Sequence, residues 1–111
     1  MGNFTSVTEV ARTAAPAGGD GVFMVMGTAV GPASYDAGGS ELDLVAIFKS
    51  KVYACVAYVD NADIRCIYVP AGSYATATGL LFVDDNAGAE VAGNLATTMA
   101  VTHWVAWGTD A

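Results

Sequence analysis

The sequence predicts an all-β domain, a sandwich or barrel of short strands. Three observations lead there. Thirteen glycines punctuate most of the chain outside residues 40–71. Between these turn signals lie short runs rich in Val, Ile, Tyr, Phe and Thr, residues whose branched or aromatic side chains suit a pleated surface. Helical periodicity is scarce throughout.

Taken in order, residues 4–12 read as a first strand and 22–30 as a second. The Ala-rich stretch 13–21, with Pro16, Gly18 and Gly19, is the loop between them. A long loop, 31–40, holds Pro32, Gly38 and Gly39. Residues 41–48 carry Leu42, Leu44 and Ile47 and read as a short extended piece or one helical turn. The strongest strand is 51–59, and 64–69 is expected to pair with it across the turn Asp60-Asn61-Ala62-Asp63. A strand over 79–84 is followed by an Asp85-Asn86-Ala87-Gly88 turn, and 97–107 closes the chain.

Alternation separates the faces of these strands. Val22, Met24 and Met26 oppose Phe23 and Val25; Met99, Val101, His103, Val105 and Trp107 oppose Thr98, Ala100, Thr102, Trp104 and Ala106. Both faces are largely apolar, whereas a sheet with one wet face alternates apolar and polar. Such strands are covered on both sides or packed against another subunit. In a domain this small the second option is expected, with Phe23, Met24, Met26, Trp104 and Trp107 as the candidate subunit or partner surface.

Composition sets further bounds. The 111 residues suit one domain, 1–111, whose N-terminal segment 1–20 is free to lie extended. Apolar residues make up 54% and charged ones 14%, which excludes a disordered tail. A net charge of −7 repels phosphate, so no nucleic-acid partner is expected. The uncharged stretch 91–109 contains Asn94, Thr97, Thr98, Thr102 and His103, so it reads as strand and turn and no membrane partner is expected. The N-terminus has neither the basic nor the apolar region of a signal peptide, which points to folding in a cytoplasm. Gly2 and Ser6 fit the loose myristoylation pattern, and Asn3-Phe4-Thr5 is a formal sequon; both read as chance matches in a strand start.

Chemistry-bearing residues are few. One His and two Cys cannot build an ordinary four-ligand zinc site. If Asp60 and Asn61 form a two-residue tip, Cys55 and Cys66 fall opposite each other and could be bridged; in a reducing cytoplasm, two small buried thiols are the preferred reading. His103 reads as a core or interface residue. The segment 84–90 has oxygen ligands, but Gly88 is fifth and Glu90 seventh, out of step with a calcium loop. Gly18-Gly19-Asp20-Gly21 lacks the Lys and Ser or Thr of a phosphate loop. No catalytic residue, metal or cofactor is expected, and an enzyme ranks last.

Two segments carry a resemblance: GGSELDLVAIFKSKVYACVAYVDN at 38–61 and YVPAGSYATATGLLFVDDNAG at 68–88. Their order and wording resemble small head-structural proteins of tailed bacteriophages, with a glycine-led entry, a Lys-Val-Tyr strand, a Tyr-Val-Pro-Ala segment and a closing strand. The likeness spans residues 38–108 and is weaker over 1–37. It implies a small antiparallel β-sandwich, jelly-roll-like, of about six to eight strands. It implies no site residues, because the matching words record strands and turns. It further implies a capsid decoration or cement protein on the outer surface of the phage head, a homotrimer whose partner is the major capsid protein. Such a chain would be made in the host cytoplasm and located in the virion. The competing expectation is a carbohydrate- or receptor-binding β module of a spike or fibre, which would present Trp and Tyr in a shallow row.

Overall fold

The computed structural model describes residues 2–13, 21–72 and 76–110. Among them the chain forms β1 (Thr5–Arg12), β2 (Phe23–Val30), β3 (Ser40–Asp43), the short helix α1 (Val45–Phe48), β4 (Lys51–Tyr58), β5 (Ile64–Pro70), β6 (Thr78–Asp85) and β7 (Thr102–Thr109). Two antiparallel sheets face each other, one ordered β1-β2-β7-β4 and the other β3-β6-β5. The all-β sandwich read from glycine spacing and strand-forming runs is the observed fold.

The topology follows a nested ribbon. β2 pairs with β7 in one sheet and β3 with β6 in the other. The innermost strands, β4 and β5, are joined by a short turn but separate into different sheets. Winding a nested antiparallel ribbon around a core in this way gives a jelly-roll-like sandwich. The expected β4–β5 hairpin is therefore corrected: β4 pairs with β7, and β5 with β6. Residues 60–63 form an arch from sheet to sheet. At the opposite side, the Phe4 N–H donates to the Glu41 carbonyl at 2.9 Å and ties β1 to β3.

The core lies between the sheets. Trp104, Phe48, Leu42, Leu44, Leu81, Met99, Val25, Val52 and Val83 are fully buried. A buried aromatic of Trp104's size removes about 200 Å² from water, on the order of 5 kcal/mol before ordering costs. Its indole Nε1 donates to the Thr28 carbonyl at 3.0 Å, so no polar atom of the ring is stranded. Gly27 makes room for it, since a Cβ there would sit 2.2 Å from the indole. Phe23 stacks on Phe48 with centroids 5.3 Å apart, and the Arg12 guanidinium lies 5.0 Å over the Phe23 ring.

Two boundaries differ from the sequence reading. Residues 41–48 hold both of the alternatives, β3 followed by α1. The closing strand starts at Thr102 instead of 97, because residues 97–100 turn on themselves. The Met99 N–H donates to the Leu95 carbonyl and Ala100 to Thr97, while the Thr102 hydroxyl donates back to Met99. Met99 is thereby turned into the core and does not share the His103 face.

Candidate functional site: the outer sheet faces

Register places three rows on the outer face of the four-stranded sheet. Met24, Trp107 and Ala54 lie side by side; so do Met26, Val105 and Val56, and then Thr28, His103 and Tyr58. β1 adds Thr8 beside Thr28 and Ala11 beside Met26, with Val10 in the irregularity between Glu9 and Ala11. Val10, Met26, Val56, Tyr58 and Trp107 are all substantially exposed, from 37% for Trp107 to 68% for Val10. None of the three rows contains a carboxylate. An isolated sheet should not leave such a face in water, since a contiguous apolar patch on a soluble protein marks a contact site.

The face has relief. Val10, Met26, Thr28, Tyr58, His103 and Val105 line a shallow groove of about 260 Å³, floored by Gly27 and Trp104. Tyr58 and His103 stack with centroids 4.9 Å apart at one side of it. Asp60 marks the rim, its Oδ2 4.0 Å from His103 Nε2.

The other sheet has an apolar outer face of its own. Ile67 lies opposite Phe82, and Val69 opposite Leu80, with Ile67, Val69 and Leu80 exposed. Charged residues frame this patch: Arg65 opposite Asp84 at one end, Glu41 beside Leu80, and Asp43 beside Thr78.

The residues singled out from sequence divide between inside and outside. Met24 is half-buried and Met26 and Trp107 are exposed, all on the outer face of the four-stranded sheet. Phe23 and Trp104 instead point between the sheets and are covered by their own chain, at 6% and 1% exposure, so neither offers a surface. Alternation assigns two faces but does not say which is inner when both are apolar. Sequence reasoning passed over Val10, Val56, Ile67, Val69 and Leu80. The same two-face test, applied to β4 and β5, would have found three of them.

Polar groups elsewhere are engaged in holding loops. The Tyr35 hydroxyl donates to the Glu90 carboxylate and accepts from the Val83 N–H at 3.0 Å, while the Gly38 N–H donates to Glu90 at 2.8 Å. Burial and the neighbouring Glu90 push the Tyr35 phenol well above its ordinary value. In the 84–90 turn, Asp85 Oδ1 accepts from the Ala87 and Ala89 N–H groups at 2.8 and 2.9 Å. That is turn chemistry. Among the described residues, no group of three or more His, Cys, Asp or Glu side chains is placed to hold a metal.

Cys55 and Cys66 are free thiols, half-buried on the inner sides of β4 and β5, opposite Ala106 and Val83. Burial pushes the Cys55 thiol up to about 12. Burial, with Asp84 nearby, pushes Cys66 up to about 11. Thiols held protonated in this way are poor nucleophiles. No described helix is long and apolar enough to cross a membrane.

Comparison with protein-family models, curated proteins and solved structures found no match to this chain.

Proposed function

We propose that this chain is a non-enzymatic β-sandwich scaffold that works by docking its sheet faces onto other proteins. More particularly, we propose a capsid decoration or cement protein on the outer surface of a tailed-phage head, bound to the major capsid protein as an oligomer and located in the virion. The observation that carries the first step is the pair of apolar outer faces, one on each side of the sandwich. Removing such faces from water is the favourable term available to this surface. The resemblance over residues 38–108 carries the second step. Acidity fits the placement, because the outside of a head meets no DNA, while a protein packed against DNA needs positive charge.

In this reading the three-stranded face meets the shell. Its apolar centre of Ile67, Val69 and Leu80 is framed by charged side chains, the pattern of an apolar core with a polar rim. Linked copies would convert several weak contacts into firm attachment.

Exposed Tyr58 and Trp107 favour a second reading, a sugar-stacking face. Their neighbours weigh against it: Val10, Met26, Val56 and Val105 cannot hydrogen-bond sugar hydroxyls, which leaves Thr28, His103 and the rim carboxylate of Asp60.

Co-sedimentation tests the proposal. The purified chain is mixed with assembled phage heads or with free coat subunits of the same phage. Saturable pelleting with heads alone, lost in folded Ile67→Asp, is the expected result. A folded wild-type chain that stays in the supernatant with heads, or binds a glycan array instead, contradicts it.

A further inference from the structure

We infer that the outer face of the four-stranded sheet pairs with the same face of a second copy of this chain, Trp107 of each copy entering the groove of the other. A projection and a recess lie on one strand of this face. Trp107 stands exposed on β7, and the groove opens around His103 on the same strand. They are four positions apart, about 13 Å along a strand. Val105 lies midway.

A twofold contact between identical faces must be self-complementary, so that what one copy presents the other receives. Consider a twofold axis lying in the interface, perpendicular to the strands and crossing β7 at Val105. It reverses the strand direction and keeps the strand order, so β7 lies over β7 and β4 over β4. Trp107 then falls over the partner copy's groove, between the Thr28 and Tyr58 positions. The Met26–Val105–Val56 row meets its own copy at the axis. Aligned packing of this kind is what two twisted sheets adopt face to face.

Charge supports the same operator. The chain carries −7, so most approaches of two copies bring carboxylates together. The three rows of this face hold none. At the rim of β4, Lys51 pairs with Thr109 at one end, and Asp60 follows Tyr58 at the other. Lys51 lies about 13 Å from the Val105 row, and Asp60, just past the end of β4, sets its carboxylate beside His103 on the other side of that row. The twofold therefore brings Asp60 of each copy towards the Lys51 end of the other. The three-stranded face offers a poorer match, since self-pairing there would crowd Glu41, Asp43 and Asp84, with Arg65 as their cationic neighbour.

The size of the contact sets its strength. Four eight-residue strands cover about 26 by 19 Å, roughly 500 Å² per copy. Two copies bury roughly 1,000 Å², the lower bound for a specific interface. A reversible, concentration-dependent dimer follows, and not a trimer. This inference does not depend on shell binding through the opposite face.

Light scattering on sized fractions and sedimentation velocity, over a range of protein and salt concentrations, test it. The expected mass is twice 11.3 kDa, with tighter association as salt screens the net charge. Trp107→Ala should weaken association about thirtyfold or more while the circular dichroism stays native. Lys51→Asp and Asp60→Lys should each weaken it about tenfold, and the double variant should restore it. Ile67→Asp, on the other face, should leave the dimer intact. A monomer at every concentration, a trimer, or a dimer indifferent to Trp107→Ala and to the charge exchange overturns the inference. A trimer that pellets with heads would overturn it and leave the shell reading standing.

Discussion

Tyr68 and Trp104 show how differently two buried aromatics can be settled. The Trp104 N–H has the Thr28 carbonyl, whereas the Tyr68 hydroxyl is buried without a hydrogen-bonding partner among the described residues. Burial pushes its phenol well above the ordinary range. The ring itself is well used, lying against Gly79 of β6, where a Cβ would meet it at 2.4 Å. A stranded hydroxyl costs about 1–3 kcal/mol, so removing it while keeping the ring should help. Tyr68→Phe is expected to stabilise the fold by about 1 kcal/mol, read as a higher urea midpoint at unchanged slope. A lower midpoint would mean that the hydroxyl has a partner and contributes to the fold.

At the scale of elements, what was legible depended on whether the signal was local. Strand positions were, because glycine turns and β-branched runs are local. Partnership was not. β4 and β5 are neighbours in sequence and joined by an Asp-Asn turn, which favours a hairpin, yet each has an inner row to bury: Val52, Cys55 and Ala57 on β4, and Ile64, Cys66 and Tyr68 on β5. Splitting the two strands between sheets lets both rows face one core, and pairing with the distant β7 and β6 supplies the ladders. Start of the closing strand was misread for a related reason. Residues 97–101 have strand-like composition, but Met99 completes the core only if the chain turns there. As for the candidate site, alternation in β2 and β7 revealed that both faces are apolar. It could not tell inner Phe23 and Trp104 from outer Met24, Met26 and Trp107, because amphipathic contrast, the signal that orients a strand, is missing.

For the whole molecule, the buried thiols set a pH dependence. An unfolded chain releases its thiol protons near the ordinary value of 9.0, whereas the folded chain holds them to about 12 at Cys55 and about 11 at Cys66. Between these limits the folded state binds more protons, so stability falls as pH rises. Tyr35 and Tyr68, both raised, extend the effect in the same direction above 10.0. Stability should therefore hold steady up to about pH 9 and then fall towards pH 12, by an amount on the order of a few kcal/mol, read as a falling melting temperature. Stability that rises over this interval would contradict the buried placement of these groups.

On the proposed reading, one apolar face serves another copy and the opposite one a shell. Cryo-microscopy of phage heads carrying the chain tests this most directly. The account predicts density in which the three-stranded sheet lies flat on the shell with Ile67, Val69 and Leu80 covered. Attachment through loop tips, with both sheet faces bare to solvent, would contradict it.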